Sequence, residues 1–163
     1  MKKFSPKVKE VINYSKQEAI GLGHNYIGTE HLLLGIMREP SSLTLRVLDS
    51  LDVDSEQLRQ FIKDKTGASK KRSSVNSGSI PINKKAEKVL KVTFLEAKMM
   101  KSDEVSTEHL VLSILKHKDN VAAKALNKFD VDYEIFKSEL DYVREEIVDQ
   151  ACLLYTSPSP RDS

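Results

Sequence analysis

The sequence predicts an all-α protein of eight helices, built as two copies of one four-helix unit. Residues 29–34 (Thr-Glu-His-Leu-Leu-Leu) recur later in the chain as residues 107–112 (Thr-Glu-His-Leu-Val-Leu). The same gapless offset carries residues 52–54 (Asp-Val-Asp) onto residues 130–132. Chance explains this poorly, so the chain is a tandem duplication. No alternating apolar and polar run has strand length, which argues against a fold based on sheets.

The first helix of each copy is amphipathic and has a start signal. Ser5 and Pro6 suit a cap and a first helical position, whereas the second copy offers Asn83 as the cap and Lys84 in place of the proline. The buried stripe follows a spacing of three and four residues. It comprises Val8, Val11, Ile12, Ser15, Ala19 and Leu22 in the first copy, and Ala86, Val89, Leu90, Thr93, Ala97 and Met100 in the second.

Three further helices are expected in each copy. Thr29 and Thr107 are the expected caps of the second helices, and Asp54 and Asp132 those of the fourth. The remaining bounds are approximate: 43–51 and 121–129 for the third helices, and ends near residues 65 and 150 for the fourth.

The predicted organisation is one domain over residues 1–148. Residues 67–79 are rich in Gly and Ser around a basic Lys-Lys-Arg run, which is typical of a flexible linker. The linker separates repeat 1, at about 4–66, from repeat 2, at about 80–148. Units of this size are marginal alone, so we expect the two repeats to pack on each other.

The last residues do not fit the repeat. We expect the helical pattern to stop after Gln150, because residues 151–163 contain two Ser-Pro steps and have no counterpart in repeat 1. This segment is interpreted as a non-native tail such as a translated adaptor, with a natural disordered tail as the alternative.

Composition excludes several classes of protein. The 163 residues are 39% hydrophobic and 31% charged with a net charge of +2, which is too apolar and too balanced for a disordered chain. A single Cys excludes a disulfide framework, and no apolar run is long enough for a membrane span. We therefore expect a soluble, cytoplasmic protein without a membrane partner. Composition does not exclude a nucleic-acid partner but gives it no support, and none is expected.

No enzyme signature is present, so no catalytic residue and no metal ligand is predicted. The chain has neither a phosphate-binding loop nor a Gly-x-Ser-x-Gly motif, and Cys152 lies in the suspect tail. His31 and His109 each stand without a second ligand on their helix, which favours structural roles. His24 and His117 are expected at the surface.

The repeated Thr-Glu pairs allow two interpretations. Threonines at a helix start can cap it, and Glu30 and Glu108 can complement the helix dipole, worth about 0.3–1 kcal/mol each. The same carboxylate in both copies also fits a binding role. The residues alone leave both interpretations open.

A family resemblance adds to this. Residues 23–35 (Gly-His-Asn-Tyr-Ile-Gly-Thr-Glu-His-Leu-Leu-Leu-Gly), their degenerate copy at 101–113 and the duplication resemble the Clp N-terminal (Clp R) repeat domain of ClpC-type Hsp100 AAA+ unfoldases. The likeness covers about residues 3–147. Repeat 2 departs at Ser106 and Ser113, where the family usually has Gly.

The resemblance implies a module that binds adaptor proteins and protein substrates for an ATP-driven ring. ATP, magnesium and a ClpP-type peptidase would then belong to ATPase modules beyond this chain, which itself needs no cofactor and is expected to be a monomer. The alternatives are a free-standing scaffold or adaptor, and a nucleic-acid-associated helical protein suggested by the Lys-Lys-Arg run at 70–72 and by Lys84 and Lys85.

The resemblance also implies phosphoarginine recognition. A carboxylate would bind the guanidinium, and a helix start would bind the phosphate. The matching positions are Glu30, Glu108, Thr29, Thr107, Ser5 and Asn83. With one site in each copy, the Glu108 site is expected to be weaker if Asn83 is a poorer phosphate host than Ser5.

Overall fold

The computed structural model describes residues 3–39, 43–66 and 80–156, and side chains only up to residue 147 in the last range. The linker predicted at 67–79 and residues 157–163 of the predicted tail lie outside the described residues.

The described chain is all-α, with eight helices that confirm the duplication. Repeat 1 contains α1 (Pro6–Gly21), α2 (Thr29–Arg38), α3 (Leu43–Ser50) and α4 (Ser55–Thr66). Repeat 2 contains α5 (Lys84–Met99), α6 (Thr107–Lys116), α7 (Val121–Lys128) and α8 (Tyr133–Thr156). Each helix of repeat 2 begins at the position that the repeat offset assigns to its counterpart, and the first three pairs also end in register.

Two very short β pairings join the repeats, and the sequence did not predict them. β1 (Lys3–Phe4) pairs in parallel with β2 (Glu104–Val105), and an isolated bridge joins Ile27 to Ile82. Such short strands cannot show an alternating pattern. In both cases the segment before the first helix of one repeat pairs with the segment before the second helix of the other repeat. This crossed pairing brings candidate site residues of one repeat next to those of the other.

Four predicted caps are confirmed. Ser5 accepts a hydrogen bond from the Val8 N–H at 3.3 Å, and Asn83 Oδ1 accepts one from the Ala86 N–H at 2.9 Å. In the fourth helices, side chains at the helix start act in the same way: Asp54 Oδ1 accepts from the Glu56 N–H, and Asp132 Oδ1 accepts from the Ile135 N–H. These oxygens satisfy donors that have no partner inside the helix.

The predicted caps of α2 and α6 are wrong by one position. The caps are Gly28 and Ser106, whose backbones are extended, and Thr29 and Thr107 are the first helical residues. The physical reason lies in the histidine at the third helical position of each helix. Its Nδ1 accepts the N–H of the cap residue, which fixes the helix start earlier than a threonine cap would.

α2 and α6 form the centre of the molecule. Residues 29–37 and 107–115 are buried throughout, as expected for helices with apolar residues on every side. Repeat 1 packs so closely that a Cβ on Gly35 would lie 2.5 Å from the Val11 carbonyl oxygen. In repeat 2 the equivalent Ser113 fits because its hydroxyl donates to the Val89 carbonyl at 2.6 Å.

One core spans both repeats. The cluster of buried apolar side chains draws on all eight helices, from Val11 in α1 to Val143 in α8. Across the boundary between the repeats, the rings of Phe61 and Phe129 meet edge to face with centroids 6.0 Å apart. The expectation that the repeats pack on each other is therefore confirmed for the described residues.

α8 continues to Thr156, past Gln150, where the helical pattern was expected to stop. That boundary was wrong, because residues 151–155 (Ala-Cys-Leu-Leu-Tyr) contain no helix breaker and the first proline comes at position 158. The non-native origin of residues 151–163 stays a prediction.

Candidate functional site

Glu30 is a buried carboxylate at the second position of α2. Only 5% of the residue is exposed, and its Oε2 accepts a hydrogen bond from the Tyr26 hydroxyl at 3.1 Å. A Cβ on Gly28 would contact Glu30 Oε1 and lie 3.1 Å from Asn83 Nδ2. Glycine at position 28 therefore leaves room for the Glu30 and Asn83 side chains to converge above it.

Asn83 reaches Glu30 because the repeats exchange their β segments. The Asn83 N–H donates to the Ile27 carbonyl at 2.9 Å, which brings the start of α5 to the start of α2. A pocket of about 460 Å³ lies between them, called here the Glu30 pocket. Its lining residues are Tyr26, Thr29, Glu30, Asn83, Lys85 and Val121.

The second carboxylate has the reciprocal arrangement, called here the Glu108 site. Ser5 at the start of α1 donates its N–H at 2.9 Å to the carbonyl of Val105, which lies shortly before Glu108 in the chain. Lys7 from α1 and Arg144 from α8 act electrostatically on Glu108, which is 8% exposed. Both candidate sites are therefore assembled from both repeats.

This geometry corrects the predicted grouping of the site residues. One site per copy would place Ser5 with Glu30 and Asn83 with Glu108. The structure instead brings Asn83 to Glu30 and Ser5 to the segment that carries Glu108. The sequence could not show this, because a gapless offset is equally compatible with segments that pair within a copy and between copies.

Burial dominates the electrostatics of Glu108. It raises the pKa of this carboxyl above its ordinary value. Hydrogen bonds from its own backbone N–H and from the Thr107 hydroxyl oppose this rise, as do the cations Arg144 and Lys7, because all four favour the charged form. The ionised form of this carboxyl is therefore held at a cost in folding free energy.

The histidines beside the carboxylates are structural, as predicted for His31 and His109. Their Nδ1 atoms accept the Gly28 and Ser106 N–H groups at 2.8 and 2.9 Å. Nε2 of His31 must then carry the proton and donate it to His24 Nδ1, 2.8 Å away. Burial, reinforced by the adjacent His24, lowers the pKa of His31 to about 3. His24 is only 8% exposed, so its predicted surface position is wrong, while His117 is half-buried.

The Glu30 pocket presents both signs of charge to one ligand. Glu30 supplies a carboxylate that accepts N–H donors, while Lys85 and the starts of α5 and α7 supply positive charge and backbone N–H groups. Lys85 is held at the rim because its Nζ donates to the Asp119 carbonyl at 2.9 Å. The lining can therefore accommodate a cationic donor group beside Glu30 and an anionic group beside Lys85.

Sequence reasoning missed four residues of these sites: Lys7, Lys85, Tyr26 and Arg144. Lys7 and Lys85 are equivalent positions of the two copies, so the repeat itself could have indicated them. Tyr26 and Arg144 have no such signal, because Glu104 stands at the position equivalent to Tyr26 and Thr66 at the position equivalent to Arg144.

A somewhat larger depression, about 510 Å³, lies away from these residues. Its polar walls include the carboxylates of Asp49, Asp52 and Asp54, and none of the predicted site residues lines it. In the described part of the chain, no group of three or more His, Cys, Asp or Glu side chains could hold a metal ion. None of the helices described by the structure is both long and apolar enough to cross a membrane.

Comparison with known proteins places this geometry in a family. The model of the Clp repeat (R) N-terminal domain matches residues 3–147, which include both carboxylates and both helix starts. The chain belongs to this family. The resemblance seen in the sequence is thereby confirmed, and the all-α double repeat is the fold of a Clp N-terminal domain.

Its relatives are much longer proteins. The chain is 33% identical over 129 residues to the negative regulator of genetic competence ClpC/MecB of Bacillus subtilis, covering 79% of this chain and 15% of that protein. It is also 33% identical over 129 residues to the chaperone protein ClpB of Oceanobacillus iheyensis, covering 79% of this chain and 16% of that one. Because these relatives carry different names, the comparison establishes the family and leaves the ClpC branch as a proposal.

A solved structure agrees with the fold. The N-terminal domain of the chaperone ClpD from Arabidopsis thaliana superposes with a TM-score of 0.66, covering 87% of this chain and 94% of that one. The two sequences are 17% identical, so this likeness concerns the fold alone.

Proposed function

We propose that this Clp N-terminal domain binds adaptor proteins and protein substrates for a Clp-type AAA+ unfoldase, and that phosphoarginine is the mark it recognises. The Glu30 pocket and the Glu108 site would each hold one phosphoarginine side chain. No catalytic step is assigned to the module. ATP hydrolysis and contact with a ClpP-type peptidase are assigned to other parts of such a protein.

The mixed charge of the Glu30 pocket carries this proposal. A free phosphate would meet the Glu30 carboxylate, and an unmodified arginine would meet Lys85 and the positive end of α5. Phosphoarginine joins guanidinium N–H donors to a dianionic phosphate, so one side chain can satisfy both walls. The guanidinium would face Glu30, and the phosphate would face Asn83, Lys85 and the helix starts.

The cost of burying Glu108 supports the same conclusion. A carboxylate that serves only a helix dipole does not need to be taken out of water, since the dipole acts at exposed positions as well. Here burial disfavours the charge, and a cationic ligand group would offset that cost. Carboxylates perturbed in this way are typical of functional sites.

Calorimetry with phosphoarginine tests the proposal on the wild type, Glu30→Ala, Glu108→Ala and the double variant. Loss of one charge-assisted partner should weaken binding at its own site by roughly 10- to 150-fold, from about 1.5–3 kcal/mol. The control variant is Glu104→Ala, which removes an exposed carboxylate from the same surface. Arginine and inorganic phosphate are the control ligands, and both should bind far more weakly.

The caps test the crossed grouping of residues. Asn83→Ala should weaken the site that Glu30→Ala weakens, and Ser5→Ala should weaken the site of Glu108. Two results would contradict the proposed ligand: no binding of millimolar phosphoarginine by the wild type, or unchanged phosphoarginine binding by the double variant. Both glutamates would then serve only their helix starts.

A further inference from the structure

The Glu30 carboxylate is oriented by one neighbouring side chain. Tyr26 donates its hydroxyl proton to Glu30 Oε2 at 3.1 Å, while Oε1 lies over Gly28 beside the Asn83 side chain. The phenol stays protonated well above neutral pH, because burial, the charge of Glu30 and this hydrogen bond raise the pKa of Tyr26 to about 12. Tyr26 is therefore a permanent donor to one carboxylate oxygen.

Tyr26 is itself held between two histidines. Its ring stacks on His24 with centroids 5.5 Å apart and 13° between the planes, and meets His31 edge to face at 5.3 Å. The two histidines are hydrogen-bonded to each other, and Gly28 fixes His31. This packing restricts the ring, so the position of the hydroxyl is determined before any ligand arrives.

The Glu108 site lacks the tyrosine and the stacked histidine of the Glu30 pocket. Position 104, which corresponds to Tyr26, is an exposed Glu in β2, and position 102, which corresponds to His24, is a Ser. The Ser102 hydroxyl donates to the Glu104 carbonyl at 2.7 Å and so contributes to the loop. The cap below the carboxylate differs as well, since Ser106 replaces Gly28.

We propose that Tyr26 is a positioning residue that sets the Glu30 carboxylate for its ligand and makes the Glu30 pocket the tighter of the two sites. This inference rests on the proposed function for the identity of the ligand. It keeps the order of strength that the sequence suggested but gives a different reason for it, because the substitution that matters is at position 26 rather than at the cap.

The binding test uses free phosphoarginine and a Glu108→Gln background, so that the Glu30 pocket is observed alone. Tyr26→Phe removes one hydrogen bond and keeps the ring, and should weaken binding about 3- to 10-fold. Tyr142→Phe is the matched control, because Tyr142 is 60% exposed on α8, and it should bind as the background does. Combined with Glu30→Ala, Tyr26→Phe should add no further loss, since Tyr26 acts through Glu30 and alanine leaves no oxygen for the hydroxyl to orient.

A measurement without ligand separates this inference from the proposed function. In Tyr26→Phe the carbon-13 resonance of the Glu30 carboxyl group should shift, while that of Glu108 should not. Unchanged binding by Tyr26→Phe, or a loss that adds fully to that of Glu30→Ala, would overturn the inference. If the background chain binds no phosphoarginine, the proposed function fails at this pocket. The carbon-13 resonance then still tests the inference. An unshifted Glu30 signal refutes positioning of the carboxylate by Tyr26, and a shifted signal supports that positioning for a different ligand.

Discussion

At the scale of single residues, the two glutamates were visible from the sequence, but their surroundings were not. The Thr-Glu repeat indicated Glu30 and Glu108, whereas their burial and the hydrogen bond from the Tyr26 hydroxyl required the folded chain. Spacing along one helix cannot report what another repeat places opposite it. His24 was missed for a different reason, because it lies in the loop before α2 and contacts His31 and Tyr26 of the same repeat.

The buried charge of Glu108 predicts a stabilising substitution. Burial raises the pKa of Glu108 in the folded state, so the protonated form stabilises the fold, and this stabilisation is lost as the pH rises through the folded-state pKa. Glu108→Gln should therefore raise the melting temperature at pH 7, with the gain shrinking as the pH falls through the carboxyl range.

Thermal unfolding at several pH values, with Glu104→Gln as the exposed control, checks this prediction. The same Glu108→Gln variant should bind phosphoarginine more weakly at its site. A melting temperature that falls at pH 7 would show that Arg144, Lys7 and Thr107 outweigh the cost of burial.

At the scale of elements, the spacing of apolar residues and the cap residues predicted every helix and most of the positions at which the helices start. The second helices were the exception, because a His at the third position moved the start to Gly28 and Ser106. The β pairings escaped detection because they are too short to leave a pattern in the sequence. A hydrogen bond from the cap N–H to a His side chain is a contact that helix propensity does not include.

A comparison of the ends of α1 and α5 predicts that replacing Lys by Gly has opposite effects just after α5 and inside its last turn. Both helices are followed by a residue with positive φ, Gly23 at 76° and Lys101 at 55°, and only glycine adopts this conformation freely. Lys101→Gly should raise the free energy of unfolding by about 0.5–1 kcal/mol. Lys98→Gly, in the last helical turn of α5, should lower it by about 1 kcal/mol.

Urea unfolding of the two variants measures both effects in one helix. Loss of stability in both would mean that the Lys101 side chain makes contacts worth more than the strain of its backbone.

At the scale of the whole molecule, the duplication and the all-α fold could be predicted, but the exchange between repeats could not. The repeat without gaps shows which helices each half contains, but it does not show which half a given segment contacts. The common core and the crossed pairs Phe4–Val105 and Ile27–Ile82 make the halves interdependent.

This interdependence predicts the behaviour of fragments. Residues 1–66 alone should show no cooperative thermal transition by circular dichroism, because their apolar faces lose the partner repeat. Mixing them with a fragment of residues 80–156 should restore helicity and a cooperative transition. A fragment 1–66 that melts cooperatively at the temperature of the whole chain would contradict the prediction.

The crossed pairing also constrains how such a domain could have arisen. A single four-helix unit made as a separate chain would carry a cap and a carboxylate that do not meet within it. Two such chains related by a twofold axis would build two identical sites, so a homodimer of single units has the same architecture. Within one chain the two sites are free of that symmetry, and the pairs Tyr26/Glu104 and Ser5/Asn83 are where they differ.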